Sequence, residues 1–543
     1  MRIARISSAN STRVADLDIR VGRHLVLVGA NDVGKSSLLR MLDLVLGASY
    51  ARLFQAFSPS EFRDQTKPLV MTVTLVEFTE DERAAFPDEI AISSVDGSES
   101  LTIELEASIS ESGGDEVVVR RYYPGKGDRS PSRGQLDSIG WNLLSANRFG
   151  SAEDLGGRRS PLRAMLSAVD LGEERASLVA ALSDFNGKLA GSASINELIE
   201  VLSRHLSEAM PRDFSPTDLV VRTSGDPDAD PLEDVDVFLA EPNGTARHLS
   251  DQSDGIRQVM NIAFFDLARA KANIVAVDEP ELHLHIASQR TIAQLLANAP
   301  NQRILATHSP HIVHHFDPDA VAIITPDRTV KQFAGGKVQS LEKLMASWWS
   351  PRTLESLTSA HTLVVEGIAD RLVVEACAAA TQTALVRLGV TVLDIGGADK
   401  FRHVNRLLGA RGFGLSLVGL VDKKESQPWI QGLGAKASDV NVQRVFVCDQ
   451  DLEAEYVAGL GARRVAEALV EAKVAREQGL LQAASVAAMD ELSDEAVAQF
   501  CRDPKRKVEA ALAVSPKIGP EDVAKMPAMS GLMNFLGTLL ETR

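Results

Sequence analysis

A glycine-rich segment near the start of the chain contains the residue types that bind a polyphosphate. Gly29 and Gly34 are five positions apart, and Lys35 and Ser36 follow directly. The glycines let backbone N–H groups approach phosphate oxygens, the lysine reaches the terminal phosphates, and the serine hydroxyl is a ligand for Mg²⁺. The segment therefore predicts a site for ATP with Mg²⁺. The nucleotide-binding residues expected from this loop are Gly29, Asn31, Asp32, Gly34, Lys35, Ser36 and Ser37.

Two acids follow an apolar run at 274–277 and have the chemistry that nucleotide hydrolysis needs. Since ligands bind at the carboxyl ends of parallel strands, Asp278 is expected to hold Mg²⁺ and Glu279 to act as general base on the attacking water. His308 follows a second apolar run, at 303–306, and is expected to sense the γ-phosphate. A structural role is the alternative for the histidine.

A Ser-x-Gly turn, Ser253 and Gly255, precedes the segment with these acids. A turn of this kind at the start of a helix presents hydroxyl and N–H donors to an anion. Simple helix capping is the alternative interpretation.

The second half of the chain also places acids after apolar strands. Glu366 follows one such strand, Asp370 lies in the helix that comes next, and Asp422 ends another strand. Carboxylates that gather at one edge of a sheet repel each other and normally share a divalent cation. This group predicts metal-assisted phosphodiester chemistry. The alternative is that each acid merely caps a helix.

The elements that must position these residues indicate an α/β protein with two parallel sheets. Apolar residues alternate with period two from about 68 to 123, which is typical of an antiparallel sheet, and they recur at helical spacing from 160 to 212. The expected boundaries are 1–335 for a nucleotide-binding domain with a helical insert at about 160–212, 336–358 for a linker helix, 359–457 for a second α/β domain, and 458–543 for a helical C-terminal region.

The composition is that of an ordinary globular protein, with 45% hydrophobic and 24% charged residues in 543. No apolar run is long enough to span a membrane, and the first residues do not resemble a signal peptide. The three cysteines are far apart and predict reduced thiols in a cytoplasmic protein.

The net charge of −17 argues against broad coating of nucleic acid, so any contact with DNA requires a local basic patch. Two clusters have the composition for it, although solvated surface is the alternative for both. The first contains Arg120, Arg121, Lys126 and Arg129, and the second contains Arg502, Lys505, Arg506 and Lys507.

The order of the phosphate loop, the Ser-x-Gly turn, the Asp-Glu strand and the His strand resembles that of ABC/SMC-type ATPases over residues 1–335. This resemblance implies that Ser253 and Gly255, or less favourably Ser250, complete the site of another protomer. It also implies a homodimer or higher homo-oligomer formed through the ATPase domains, a helical insert that serves dimerisation, and an antiparallel arm formed by 68–123.

The run from Val365 through Glu366 and Gly367 to Asp370, with Asp422 at a later strand end, resembles a Toprim domain. An SMC-like ATPase followed by a doubly wound Toprim domain resembles the OLD (overcoming lysogenisation defect) family, which includes Gabija-type anti-phage nucleases. The segment 58–64 and the turn at Gly396 support this resemblance. It implies an ATP-regulated DNA endonuclease that uses Mg²⁺ or Mn²⁺ and works in anti-phage defence or DNA processing, with a defence-system protein as a candidate partner.

The chain departs from the Toprim pattern at one position, where Lys424 replaces a second carboxylate after Asp422. Glu425 or the group Asp449, Asp451 and Glu453 are the candidates to supply the missing charge, and the OLD resemblance favours Glu453. The expected metal ligands are Glu366, Asp370, Asp422 and Glu453, with Glu366 and Asp422 catalytic. If none of these acids replaces the missing carboxylate, the chain is an ATPase sensor or scaffold whose Toprim domain recruits a partner or holds DNA. A third hypothesis is a repair ATPase that acts on DNA ends, but it leaves the acids of the second half of the chain unexplained.

Overall fold

The computed structural model of the 543-residue chain has two compact units, Met1–Val330 and Lys331–Arg543. It describes residues 1–14, 16–110, 116–145, 174–223, 235–240, 246–248, 253, 255, 259, 262, 272–334, 341–433 and 444–541. Each unit has its own hydrophobic core. Among the described residues, every helix is too short or too polar to cross a membrane.

The first unit contains most of the strands, and the second unit ends in a series of helices. They are β1 Arg2–Ala9, β2 Leu17–Arg20, β3 Leu25–Val28, β4 Leu69–Val76, β5 Ala91–Ile92, β6 Glu99–Ile109, β7 Val117–Tyr122, β8 Trp141–Leu144, β9 Leu219–Thr223, β10 Val235–Ala240, β11 Ala246–His248, β12 Ile274–Asp278, β13 Gln302–Thr307, β14 Val321–Ile324, β15 Val330–Gln332, β16 His361–Val365, β17 Val390–Asp394, β18 Leu417–Asp422 and β19 Val445–Cys448.

The described helices are mostly short. They are α1 Lys35–Leu46, α2 Tyr50–Ala56, α3 Glu80–Ala85, α4 Arg133–Ile139, α5 Glu174–Gly191, α6 Ala193–Ala209, α7 Ile286–Ala297, α8 Pro310–Val313, α9 Leu341–Trp348, α10 Pro351–Leu354, α11 Ile368–Ala380, α12 Leu385–Leu388, α13 Phe401–Leu408, α14 Ser426–Gly432, α15 Leu452–Leu460, α16 Ala462–Glu471, α17 Glu477–Ala484, α18 Asp494–Cys501, α19 Lys507–Val514, α20 Pro520–Ala524 and α21 Pro527–Glu541.

The first unit is built on a six-stranded sheet in the order β15-β14-β3-β13-β12-β8. The strand β3 lies between β13 and β14, and all three run parallel. Every residue of β3, β12 and β13 is buried, as expected for strands that are covered on both faces. The carboxyl ends of β3, β12 and β13 therefore meet at one edge.

A second sheet of the first unit is antiparallel and has the order β2-β1-β4-β6-β5, with β7 paired to β6. In β4 and β6 buried residues alternate with partly exposed ones, so the period-two pattern has its expected cause. The predicted antiparallel arm is confirmed. Of the predicted insert, 174–209 forms α5 and α6, and 160–173 lies outside the described residues.

The second unit contains a parallel sheet in the order β17-β16-β18-β19. Its core joins residues of these strands, such as Leu363 and Leu420, to residues of later helices, such as Leu469 and Met529. Residues on both sides of the predicted boundary at 457 therefore share one core.

One predicted element differs from the structure. Within the linker helix predicted at 336–358, α9 ends at Trp348 and is followed by the short helix α10, since Pro351 has no N–H to continue the hydrogen-bonding pattern.

Candidate functional site

The two loop glycines are required by the surrounding backbone as well as by any phosphate. Gly34 has φ of 102°, and a Cβ there would lie 2.4 Å from the carbonyl oxygen of Arg13. Gly29 has φ of 158°, and a Cβ there would lie 2.3 Å from the carbonyl oxygen of Ile324. A side chain at either position would collide with backbone, so the motif is also a packing requirement of this sheet edge.

Lys35 lies buried in the loop and donates from Nζ to the carbonyl oxygens of Gly29, at 2.9 Å, and Ala30, at 2.6 Å. Burial lowers the pKa of its ammonium group, and the nearby charges of Glu279, Glu281 and Asp278 oppose this effect. The ammonium group of Lys35 is thus held at the loop, where these three acids favour its charged form.

Ser36 and Asp278, the predicted Mg²⁺ ligands, are in direct contact. The hydroxyl of Ser36 donates to Oδ1 of Asp278 at 2.8 Å, which joins the start of α1 to the end of β12. The hydroxyl and carboxylate oxygens fit a Mg²⁺ ion in kind. The structure therefore brings together two oxygen donors that are 242 positions apart in the sequence.

The predicted base Glu279 lines a cavity of about 420 Å³ together with the phosphate loop. Its φ is 48°, a left-handed conformation that is strained for a residue with a side chain and typical of functional sites. Sequence reasoning missed three residues that also line this cavity: Thr12, Arg13 and Arg328. They come from distant turns, and no spacing in the sequence connects them to the loop.

The ring of His308 is 45% exposed and is held by a buried acid that was assigned no role from the sequence. Nδ1 of His308 lies 3.1 Å from Oε1 of Glu281, and the same oxygen accepts the backbone N–H of His308 and the hydroxyl of Thr307, both at 2.7 Å. Burial raises the pKa of Glu281. The only signal in the sequence was its position as the second acid after β12, two residues beyond Glu279.

Ser253 and Gly255, predicted to act on another protomer, are both among the residues that the structure describes. Ser253 is exposed, as a residue that contacts a second molecule must be. A Cβ at Gly255 would lie 2.9 Å from the carbonyl oxygen of His283, so this position packs closely against the loop after β12. The alternative, Ser250, lies outside the described residues.

In the second unit, Glu366 and Asp422 are joined at the ends of adjacent strands. Oε1 of Glu366 accepts the backbone N–H of Asp422 at 3.1 Å, and Oδ1 of Asp422 accepts the N–H of Leu452 at 3.0 Å. Asp370 is 2% exposed and accepts the N–H of Gly367 at 3.0 Å. Helix capping and clustering therefore occur together at this edge.

These acids influence each other's protonation. The pKa of Asp422 is raised to about 8, mainly by burial and then by the charge of Glu366, with smaller effects from Asp370 and Glu453. Burial also raises the pKa of Asp370 to about 7, with the charges of Glu366 and Glu453 acting in the same direction. The pKa values of Glu366 and Glu453 are raised, again mainly by burial. The four predicted ligands thus form one electrostatic cluster, called here the acidic cluster.

A lysine from α19 lies among these acids. Lys507 Nζ is 3.4 Å from Oε1 of Glu453, and its charge lowers the pKa of Glu366, Asp370 and Asp422. Carboxylate oxygens are donors of the kind that Mg²⁺ prefers, so the residues fit a divalent cation in kind. Within the described ranges, however, no group of three acidic, histidine or cysteine side chains is arranged to hold a metal ion. Lys507 supplies part of the positive charge that the cluster needs.

The other acids considered for this site have other partners or remain outside it. Asp449 is 83% exposed and pairs with Lys423 at 2.9 Å. Asp451 pairs with Arg502 at 2.6 Å and caps α15. Glu425 lies near enough to raise the pKa of Glu366. Lys424 is exposed, so the cation that enters the cluster is Lys507.

Most of the two predicted basic clusters is already paired. Arg121 is fully buried and donates to the carbonyl oxygens of Leu44 and Ala48, both at 2.9 Å, at the end of α1. Arg120 and Arg129 pair with glutamates, and Arg502 and Arg506 pair with aspartates. These cations stabilise the fold, and few of them are left to attract phosphate.

A phosphate loop, strand-end acids and a strand-end histidine on one parallel sheet define a P-loop ATPase of the ABC/SMC-like class. Residues 25–314 match the AAA_21 family of AAA domains, whose description also names the AbiEii toxin and the Type IV TA system. This match spans more than half of the chain, which therefore belongs to the AAA_21 family, and its first unit is an ATPase.

Residues 357–423 match the TOPRIM domain of the family described as overcoming lysogenization defect protein-like. The chain thus joins an AAA_21 ATPase domain to a segment that matches an OLD-like Toprim domain, in the order that its sequence predicted. ATPase and Toprim domains generally use a nucleotide and a divalent metal.

Several solved structures are similar to parts of the chain. The SMC head domain from Thermotoga maritima is 16% identical, covering 59% of this chain and 94% of that chain with a TM-score of 0.31. The C-terminal region of the Burkholderia pseudomallei OLD protein is 20% identical, covering 33% and 98% with a TM-score of 0.27. The corresponding region from Xanthomonas campestris pv. campestris is 23% identical, covering 34% and 98% with a TM-score of 0.28. No curated protein matches the chain.

Proposed function

We propose that this protein is an ATP-regulated, divalent-metal-dependent DNA endonuclease of the OLD type that acts in anti-phage defence or DNA processing. The observation that carries the proposal is the acidic cluster, in which Oε1 of Glu366 accepts the N–H of Asp422 and the charges of Glu366 and Glu453 raise the pKa values of Asp370 and Asp422. Asp370 and Glu453 are buried and Glu366 and Asp422 are half-buried, and carboxylates gathered in this way are costly unless a cation balances them. Such a site has little structural use and suits phosphodiester chemistry.

In the ATPase unit, Lys35 would neutralise the terminal phosphates of a bound nucleotide, and Ser36 and Asp278 would hold its Mg²⁺. To reach the phosphates, Lys35 would exchange its hydrogen bonds to the carbonyl oxygens of Gly29 and Ala30 for bonds to phosphate oxygens. Glu279 removes a proton from the attacking water, and His308, held through Nδ1 by Glu281, faces the γ-phosphate. These roles combine positioning with a general base, as phosphoryl transfer requires.

The ATPase units work as a homodimer in which Ser253 and Gly255 of one protomer complete the site of the other. The exposure of Ser253 supports this arrangement. Because the site is shared, ATP binding would couple assembly of two protomers to the state of the Toprim domains.

In the Toprim unit, Glu366, Asp370, Asp422 and Glu453 would hold Mg²⁺ or Mn²⁺, and the bound ion would activate water and stabilise the leaving oxygen. The acids bind a cation best when ionised, and the raised pKa of Asp422, about 8, opposes this. Lys507 favours the ionised state through its positive charge. The cluster therefore gains metal affinity as the pH rises.

A plasmid-nicking assay tests the proposal. Wild-type protein should nick DNA in Mg²⁺ or Mn²⁺, whereas Asp422→Asn and Glu366→Ala should not. Asp449→Asn is the matched control, because this exposed aspartate ends the neighbouring strand and pairs with Lys423. Equal cleavage by wild type and Asp422→Asn would reject the assigned site.

A second function is favoured by two observations: Lys507 already occupies the acidic cluster, and no three side chains of the described residues form a ready metal site. In this alternative the protein is an ATPase scaffold whose Toprim domain recruits a partner or holds DNA without cutting it. It predicts ATP hydrolysis together with intact plasmid in every divalent metal.

A further inference from the structure

A cavity of about 1090 Å³ lies between α13 and α14 of the second unit. We call it the α13–α14 groove. The polar side chains that line it are mostly cationic or hydrogen-bond donors. They are Arg402, His403, Asn405, Arg406, Arg411 and Gln431.

The groove is a positive region in an acidic protein of net charge −17. Arg402 and Arg411 are exposed, and neither has a carboxylate partner within the residues that the structure describes. The guanidinium of Arg402 instead lies 3.3 Å from Nε2 of His403. In contrast, most arginines of the two sequence-predicted basic clusters are paired with acids. The charges of Arg402 and Arg411 are therefore not neutralised by acids, whereas most charges of those clusters are.

The walls of the groove are held in place by contacts beneath it. The rings of Phe401 and Trp429 stack with centroids 4.2 Å apart. Nδ2 of Asn405 donates to the carbonyl oxygen of Gly432 at 2.9 Å, and Nε1 of Trp429 donates to that of Ala398 at 3.2 Å. These bonds tie α13 to α14, so an anion would meet a surface that is already formed.

The two helices that form the groove follow the sheet edge that carries the acidic cluster. The turn that leads into α13 is attached to the end of β16, since the N–H of Gly397 donates to the backbone carbonyl oxygen of Glu366 at 2.8 Å. Helix α14 likewise follows β18, whose last residue is Asp422. Both walls therefore start at the sheet edge that carries the acids.

We propose that the α13–α14 groove binds the phosphodiester backbone of the nucleic acid that is cut at the acidic cluster; this inference rests on the proposed nuclease function. Guanidinium groups bind phosphate oxygens through two parallel hydrogen bonds. The volume of about 1090 Å³ is at the upper end of small-molecule pockets, which are about 300–1,000 Å³, so several phosphates fit better than one. An acidic protein surface is disfavoured because the groove adjoins a site for phosphodiester chemistry.

DNA binding by the full-length double variant R402A/R411A tests the inference. Fluorescence anisotropy with a labelled duplex in Ca²⁺, at several salt concentrations, gives the dissociation constant and its salt dependence. The variant should bind more weakly, and its slope of log K against log salt should be smaller by about 2, one for each lost phosphate contact. Arg476→Ala is the control, because Arg476 is an exposed arginine of the same unit outside the groove.

The outcomes separate the inference from the function on which it rests. If the double variant binds DNA with the affinity and salt slope of Arg476→Ala while wild type still nicks plasmid, the groove does not bind DNA. The proposed nuclease function is then unaffected. A wild-type protein that neither binds nor nicks DNA overturns both. Weaker binding with a reduced slope, together with unchanged ATP hydrolysis, supports the groove.

Discussion

Nζ of Lys507 lies 3.4 Å from Oε1 of Glu453, which is 1% exposed, and this contact places a cation inside the acidic cluster of the Toprim unit. The charge of Lys507 also reaches Asp370 and Asp422. The lysine comes from the helical C-terminal region, where the sequence offered it as part of a basic cluster for DNA. Its contact with Glu453 therefore links that region directly to the candidate site.

Replacing this lysine should make the protein depend on a divalent cation for stability. Lys507→Ala leaves the four acids without their internal counter-charge, and we expect it to destabilise the second unit by on the order of 1–3 kcal/mol in EDTA. Added Mg²⁺ should raise the unfolding temperature of the variant more than that of wild type, since the ion replaces the lost charge. Thermal unfolding with EDTA or Mg²⁺ measures both effects.

The control for this experiment is Lys505→Ala, which removes an exposed lysine from the segment just before α19. It should behave as wild type in EDTA and in Mg²⁺. Equal Mg²⁺ shifts in Lys507→Ala and Lys505→Ala would show that the cluster does not bind the ion.

Glu281 should affect the turnover of ATP more than its binding. Its carboxylate holds His308 through Nδ1 and through the backbone N–H. Glu281→Ala should therefore lower kcat for ATP hydrolysis by about tenfold to a hundredfold with little change in KM, since misplacing a catalytic group by about 1 Å can cost this much. Glu281→Gln keeps a hydrogen-bond acceptor and should be intermediate.

Steady-state ATPase kinetics measure this difference, with Glu80→Gln at the exposed start of α3 as a neutral control. A parallel loss in kcat for Glu80→Gln, or a rise in KM that accounts for the whole effect of Glu281→Ala, would contradict the positioning role.

The shared ATPase site predicts complementation between two inactive variants. Ser253→Arg should bind ATP but not hydrolyse it, because Ser253 is exposed and acts on the partner's nucleotide. Lys35→Ala should not bind ATP. A mixture of the two should recover at most about a quarter of wild-type turnover, since random assembly makes about half of the dimers mixed and each has one complete site. Turnover that stays at zero at every mixing ratio would argue against a site shared between protomers.

The stability of the first unit should fall in mild acid because of one buried histidine. The pKa of His24 is lowered from 6.5 to about 4, mainly by burial. Between these values the unfolded chain binds more protons at His24 than the folded protein, so the free energy of unfolding decreases as the pH falls from 6.5 to about 4. The loss is on the order of 2–3 kcal/mol.

His24→Asn should remove this part of the pH dependence. The amide oxygen of asparagine can replace Nδ1 of His24, which accepts the N–H of Arg303 at 3.1 Å. Urea denaturation of both proteins above pH 6.5 and near pH 4 measures the difference. If both lose the same free energy over this range, His24 is not the group that titrates.

The sequence by itself determined the fold class and the family, because both depend on local patterns. A phosphate loop such as Gly29 to Ser37 requires glycines at fixed spacing whatever the rest of the chain does, and buried parallel strands require continuous apolar runs. The strand-end positions of Asp278, Glu366 and Asp422 followed from the same runs.

The tertiary structure alone decided which charges meet. Lys507 lies 137 positions after Asp370, and Glu281 lies 27 before His308, so no local period connects either pair. The same reason explains why Arg121 is a buried structural residue, although it lies in a cluster that the sequence offered for DNA. Electrostatic contacts are set by distance and burial in the folded chain, and the sequence encodes these through the packing of the whole unit.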